Sequence, residues 1–208
     1  MSGFGINRGL GECHTGGVVL LLGVLLAMPA WGGAHPMRLP QSINAPNVLN
    51  AYVEIAKGGV VKYEVDPATG QLSVDRFLPE SFSYPQAYGF LPSVPAADGD
   101  CLDVFVLTDR PLQTQSVIEV RPVGMIRMRD GGEDDDKVLA MPTTGGSSQA
   151  KPTDETLSDL KQFLTRYKAQ ARGSNPVEWL GVLEAPATVG WLAQALAGAR
   201  SDAPCGGP

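Results

Sequence analysis

The side chains best suited to chemistry lie between Tyr84 and Lys137. They run Asp98-Gly99-Asp100-Cys101-Leu102-Asp103, then Asp130, then Asp135 two residues before Lys137. Carboxylate oxygens are hard ligands for Mg²⁺, an ion that keeps several waters and shares its coordination sphere with substrate phosphate oxygens. Several acids converging with Lys, Arg and Tyr therefore point to a phosphoryl-transfer pocket. On an extended segment Asp98 and Asp100 share one face, and Gly99 between them permits close backbone approach. Asp103 joins them if the chain turns at Cys101-Leu102. An isolated Asp-Gly-Asp is more commonly a solvated turn, and the spacing of a calcium loop is missing.

Cations and phenols recur around these acids. Lys62 and Glu64 alternate with Val61, Tyr63 and Val65, so both project from the face opposite the apolar set; alone, they would be a solvated ion pair. Arg76 shares its expected face with Leu72 and Val74, where a cation needs an anion, and its planar fork of donors suits phosphate. Tyr84 and Tyr88, in the run Tyr84-Pro85-Gln86-Ala87-Tyr88-Gly89-Phe90, can donate hydrogen bonds to phosphate, with core packing as the plainer alternative. Lys137 opens an apolar strand directly after Glu133-Asp134-Asp135-Asp136, a run that by itself reads as a solvated loop. Tyr167-Lys168 adds a phenol and an ammonium near the end of a helix, where Lys can also complement the helix dipole.

These residues need a scaffold, and the punctuation of the chain suggests one. Tyr52–Ile55, Val60–Val65 and Leu72–Phe77 have strand character, with the turn Asp66-Pro67-Ala68-Thr69-Gly70 between the last two, and read as a β-meander. Asp103–Leu107, Ser116–Arg121, Met125–Met128 and Lys137–Met141 add further strands, which favours a closed or nearly closed barrel. Thr153 can cap a helix carrying Asp154 and Glu155 in its first turn and Leu157, Leu160, Leu164 and Tyr167 at helical spacing. Val177–Glu184 reads as one more strand, and a second helix starts near Pro186. The run Gly145-Gly146-Ser147-Ser148 reads as a flexible loop.

At 208 residues, with 43% hydrophobic and 18% charged residues, the chain fits one domain with a core. A net charge of −6 with no basic cluster argues against a nucleic-acid surface. His14 and His35, the only two histidines, leave the body of the chain without imidazole, so a catalytic base there is a carboxylate. Residues 1–34 have the three parts of a secretory signal peptide: Arg8, the apolar run Val18–Met28, and small residues Gly32 and Ala34 before a cut at His35. An uncleaved membrane anchor is the competing reading. Cleavage would place the protein in the periplasm or outside the cell, with no membrane attachment. Residues 35–50 form an irregular lead-in, 51–200 the single domain and 201–208 a flexible tail. Cys101 and Cys205 would remain where a disulfide is permitted, and two free thiols are marginally favoured, with pairing left open.

The order of these motifs carries more than any one of them. Glu54, Lys62-Tyr63-Glu64, Asp75-Arg76, Tyr84 to Gly89, Asp98-Gly99-Asp100 to Asp103-Val104, Arg121-Pro122-Val123-Gly124, Asp130 to Lys137 and Tyr167-Lys168 together resemble the family I soluble inorganic pyrophosphatases over roughly residues 50–185. Cys101 departs from that pattern, which usually has Pro there, and Lys151–Arg172 is shorter than the corresponding region. The resemblance implies a mainly β protein with helices (α+β), a five-stranded OB-like barrel with two flanking C-terminal helices. It implies Mg²⁺-dependent hydrolysis of pyrophosphate to two phosphates, several Mg²⁺ ions per site and a homo-oligomer. By resemblance Asp98, Asp103 and Asp135 hold one metal, Asp103 also serves a second, Asp130 and Asp135 a substrate-associated one, and Glu54 with Glu64 a further one. Asp100 would orient and deprotonate the attacking water, and the catalytic set is Asp100 with Tyr88, Arg76 and Lys62. Lys62, Arg76, Lys137, Tyr167 and Lys168 would bind the phosphates, with Tyr84 and Tyr88 lining the pocket. A metal-dependent phosphohydrolase of a nucleotide or polyphosphate, or a non-catalytic binder, are the alternatives.

Overall fold

A computed structural model describes residues 34–145, 151–170, 176–199 and Cys205, apart from the side chains of 168–170. Most of the expected signal segment, Gly146 to Ser148 of the expected loop, and the expected tail other than Cys205 lie outside these residues.

The strands are β1 (Leu49–Ile55), β2 (Val61–Val65), β3 (Leu72–Phe77), β4 (Ala87–Pro95), β5 (Cys101–Val106), β6 (Val117–Asp130), β7 (Glu133–Asp134), β8 (Lys137–Pro142) and β9 (Val177–Glu184). The helices are α1 (Asp154–Gln170) and α2 (Ala185–Gly198). Pairing runs β1-β4-β5-β8-β6, and β6 returns to β1 from Leu49↔Val120 to Tyr52↔Val117, which closes a five-stranded barrel. β7 and β9 extend from β6. The barrel with two helices matches the expected architecture.

Alternation along the strands separates two cores. Phe105, Ile126, Met128 and Leu139 pack with Leu160, Phe163, Leu164 and Tyr167 of α1. Val104, Val106, Met125, Val138 and Ala140 form the other core with Leu192 of α2. Each large aliphatic side chain so buried contributes about 1.5–3 kcal/mol. The first core face is the one that positions the chemistry. Asp103 lies two residues before Phe105, and Lys137 two before Leu139, so both continue that face at the strand starts. They are also register partners across the parallel β5–β8 pair.

Three expectations change. The meander does not form: β2 and β3 make a separate two-stranded hairpin while β1 belongs to the barrel. Gly58, at φ 83°, turns the chain away from β1, and the turn is tied to Tyr84 by Gly58 N–H to Tyr84 O and Tyr84 N–H to Gly59 O. The aromatic patch around Tyr88 continues into the buried strand β4. Gly89 is required there, because a Cβ would stand 1.9 Å from the Tyr52 carbonyl oxygen. The two strands expected at Ser116–Arg121 and Met125–Met128 are one, β6, whose register shifts between Pro122 and Gly124 rather than breaking.

The two helices and β9 form where expected. Thr153 Oγ1 accepts the Thr156 N–H at 3.1 Å, with Asp154 and Glu155 in the first turn, which satisfies a free N-terminal donor and complements the helix dipole.

Candidate active site

Two irregularities in the strands help to build the site. In β1, Val53 pairs with Gly89 and Ile55 with Tyr88, so Glu54 is an extra residue at a bulge. Bulges re-aim side chains, and here Glu54 Oε1 reaches the Val65 N–H of β2 at 2.9 Å. In the hairpin, Lys62 pairs with Arg76 and Tyr63 with Val74, so Asp75 is the extra residue. It accepts ion pairs from Lys62 at 3.1 Å and from Arg76 Nε at 2.9 Å. Lys62 also pairs with Glu64, its neighbour on the same strand face.

The turn between β4 and β5 supplies the next acids. Ala96 N–H donates to Asp100 O at 2.8 Å, and Asp100 N–H donates to the Asp98 carboxylate at 3.0 Å. Gly99, at φ 91°, makes this reversal possible. Asp103 follows on β5, and Lys137, only 3% exposed, pairs with both Asp103 and Asp135.

These segments surround one cavity of about 320 Å³. Its walls include Glu54, Glu64, Asp98, Asp100, Asp103, Asp134, Asp135 and Asp136, with Lys62, Lys137, Tyr84, Tyr88 and Tyr167 among them. So many like charges in one enclosure favour protonation or cation binding. Burial pushes the Glu54 carboxyl up to about 8, opposed by its hydrogen bond from Val65 and reinforced by Asp103 and Glu64. Burial, then Asp98 and Asp103, raise Asp100. Burial alone would lower Lys137, but Asp103 and Asp135 outweigh it and hold the ammonium above its ordinary range. Lys62 is raised in the same way, with Glu64 as the main partner overcoming desolvation. Burial pushes the Tyr84 and Tyr88 phenols up as well.

The donor set fits a hard divalent cation: carboxylate oxygens surround the cavity, and the nearby sulfurs of Cys101 and Cys205 are joined to each other. Among the described residues no three carboxylates converge on one point; the Lys137 ammonium is interposed between Asp103 and Asp135 instead.

Of the expected site residues, Glu54, Lys62, Glu64, Tyr84, Tyr88, Asp98, Asp100, Asp103, Asp135, Lys137 and Tyr167 all line this cavity. Arg76 does not line it; its side chain is 45% exposed and engages Asp75, not a buried apolar face, since Val74 is itself 52% exposed. The bulge explains the difference, because it breaks the alternation on which that expectation rests. Asp130 is half-buried at the end of β6 and outside the lining. The Lys168 side chain lies outside the described residues. Cys101 and Cys205 are paired and buried at 6% and 4% exposure, which corrects the free-thiol reading and the loose-tail reading for Cys205.

Sequence reasoning missed Asp75 and Asp136. The acidic run from Glu133 reads as solvated, yet the Asp136 side chain is only 8% exposed and pairs with Arg127 at 2.7 Å. The one available signal was Arg127, a cation within the apolar pattern of β6.

Comparison with known proteins agrees with this geometry. An inorganic pyrophosphatase from Gluconobacter oxydans is 38% identical over 156 residues, covering 74% of this chain and 87% of the relative. One from Sulfolobus acidocaldarius is 43% identical over 127 residues, covering 61% and 69% respectively. The crystal structure of the Thermus thermophilus inorganic pyrophosphatase superposes with a TM-score of 0.73 at 32% identity, covering 79% of this chain and 98% of that one. The Helicobacter pylori enzyme gives a TM-score of 0.70 at 32% identity, with 76% and 96% coverage. The family model described as inorganic pyrophosphatase matches residues 51–196, and the chain belongs to that family.

Proposed function

We propose that this protein hydrolyses inorganic pyrophosphate to two phosphates with several Mg²⁺ ions at the site, and that it does so outside the cytoplasm. One observation carries the first part. Acids from four separate segments, β1, β2, the β4–β5 turn with β5, and the run from β7 into β8, share one cavity with Lys62, Lys137 and three tyrosines.

Asp98, Asp103 and Asp135 would hold one ion, with Asp103 shared by a second. Asp130 would join Asp135 around a substrate-associated ion, and Glu54 with Glu64 would serve another. Bound metal would supply charge neutralisation and make water a stronger nucleophile near neutral pH. Asp100 would orient the attacking water and accept its proton, a role suited to a carboxyl whose affinity for protons is raised by burial and by Asp98. Lys62, Lys137 and Arg76 would bind the phosphates and offset the negative charge that grows on the leaving group, with Lys168 of α1 extending that set. Tyr84, Tyr88 and Tyr167 would donate hydrogen bonds to phosphate oxygens.

The extracellular or periplasmic assignment is supported by the signal-like pattern of residues 1–34 and by the Cys101–Cys205 disulfide, a bond that persists in oxidising compartments. Salvage of phosphate from external pyrophosphate would be its use. A symmetric homo-oligomer is part of the same proposal.

Substrate class is tested by phosphate release from pyrophosphate, ATP and tripolyphosphate under Mg²⁺. The reading expects strong preference for pyrophosphate, and preference for either larger phosphate would overturn it. Location is tested by the N-terminus of the native protein, expected at His35; a cytoplasmic protein retaining Met1 would remove the export proposal.

A further inference from the structure

Asp136 lies between two residues of the proposed site, Asp135 and Lys137, and borders the same cavity, but its carboxylate oxygens engage the Met128 N–H and Arg127. β8 pairs with β6 at Ile126↔Lys137, and β7 pairs with β6 at Arg129↔Asp134. Between those rungs residues 135 and 136 leave strand geometry. At that gap Met128 would be left with unpaired backbone groups on a strand whose side chain here is fully buried. Both groups are satisfied by the acidic pair: Asp135 N–H donates to Met128 O at 2.9 Å, and Met128 N–H donates to Asp136 Oδ1 at 3.2 Å. The other carboxylate oxygen of Asp136 lies 2.7 Å from Arg127 Nε, an ion pair without the alignment of a hydrogen bond, and that Nε has no other hydrogen-bond acceptor among the described residues. A side chain thus replaces the missing backbone carbonyl, and Arg127 on β6 fixes that side chain from a second direction.

The pair also borders the other acidic segment. A smaller cavity of about 170 Å³ is lined by Arg127, Asp136 and Asp134 together with Ala96, Ala97 and Leu102 of the β4–β5 segment and Trp191 of α2. Asp136 therefore stands where the segment carrying Asp135 into Lys137 of β8 meets the turn carrying Asp98 and Asp100. A buried carboxylate that accepts one backbone N–H and is ion-paired with a guanidinium has little freedom to move.

We infer that Asp136, held by Arg127, is a positioning residue: it sets the place of Asp135 and Lys137, and through them the affinity of the site for Mg²⁺ and the rate of hydrolysis. The inference rests on the reading of the cavity as a pyrophosphatase site. Groups that orient metal ligands without touching the metal typically change affinity or activity about 10–100-fold when removed.

The test uses the full chain and four variants: Asp136→Ala, Asp136→Asn, Arg127→Met and, as a control, Arg129→Gln. Arg129 pairs with Asp134 on the adjacent rung but is 46% exposed. Two readouts are taken, Mg²⁺ affinity by calorimetry without substrate, and kcat and KM for pyrophosphate at saturating Mg²⁺. Asp136→Ala is expected to weaken Mg²⁺ binding and lower kcat by about tenfold or more, with KM changed by less than about threefold. Asp136→Asn keeps an oxygen for the Met128 N–H and should recover part of the loss, Arg127→Met should fall between, and Arg129→Gln should match the wild type. If Asp136→Ala fails to fold, Asp136→Asn and Arg127→Met decide the matter. Wild-type Mg²⁺ affinity and kcat in folded Asp136 or Arg127 variants would overturn the inference, as would losses equal to those of Arg129→Gln. A wild type that binds Mg²⁺ but releases no phosphate would instead refute the hydrolytic reading, and the calorimetric comparison would still judge Asp136.

Discussion

Breaking the Cys101–Cys205 bond should destabilise the fold by several kcal/mol. The bond joins residues 104 apart in sequence, so in the chain-entropy account it restricts the unfolded ensemble by about 4.7 kcal/mol at 25 °C. It also holds Cys205 in a small apolar cluster with Tyr52, Val65 and Phe90, against which Met37, Leu39 and Leu72 pack. For a chain of this length each kcal/mol corresponds to about 2–4 °C in Tm, which gives a loss of roughly 9–19 °C. The assay is calorimetric melting of the oxidised wild type, the wild type under a strong dithiol reductant, and Cys205→Ser. The two perturbed forms should melt together and well below the oxidised protein. Perturbed forms that melt within about 2 °C of it would refute the reasoning, because a crosslink of that span cannot be thermodynamically silent unless the unfolded chain is already constrained.

Glu54 should make the metal-free protein less stable as pH rises. Its carboxyl is raised from 4.5 to about 8 in the fold, so between those values the folded state holds a proton that the unfolded chain releases. The stability this contributes is complete below about pH 4.5 and is lost as pH passes 8. Urea unfolding in EDTA at pH 5, 6.5 and 8 checks this, with Glu54→Gln expected to flatten the slope; equal slopes in the two proteins would contradict it. Saturating Mg²⁺ should raise Tm, more at pH 8 than at pH 5, because it replaces the proton as the counter-charge; no rise in Tm at either pH would show that the acids do not form a metal site. Gly89→Ala should cost about 3 kcal/mol or more by forcing β4 off β1 at the Tyr52 carbonyl, read as a lowered urea midpoint with unchanged slope.

The sequence conveyed the site better than it conveyed the scaffold. Asp98, Asp100 and Asp103 are close in sequence and stay close in space because one tight turn carries them, so spacing alone was informative. Lys137 could be placed because it opens an apolar strand beside an acidic run. Bulges were invisible, since a strand with one extra residue has the same composition as one without it. That is why Glu54 was located by family pattern and not by alternation, and why Arg76 was assigned to the wrong face. β4 was obscured because buried strands show no polar alternation, and Pro92 and Pro95 interrupt its apolar run. The barrel closure between β1 and β6 depends on pairing across about seventy residues, a distance at which periodicity carries no information. Asp136 was hidden in a charge run that resembles a solvated loop until Arg127 is seen opposite it.

The most direct test of the central claim is phosphate release from pyrophosphate by the purified chain, with and without Mg²⁺, beside Asp100→Asn. Rapid release that requires Mg²⁺ and falls by at least about a hundredfold in the variant is the predicted result. Release that survives removal of Mg²⁺, or persists undiminished in Asp100→Asn, would contradict the account.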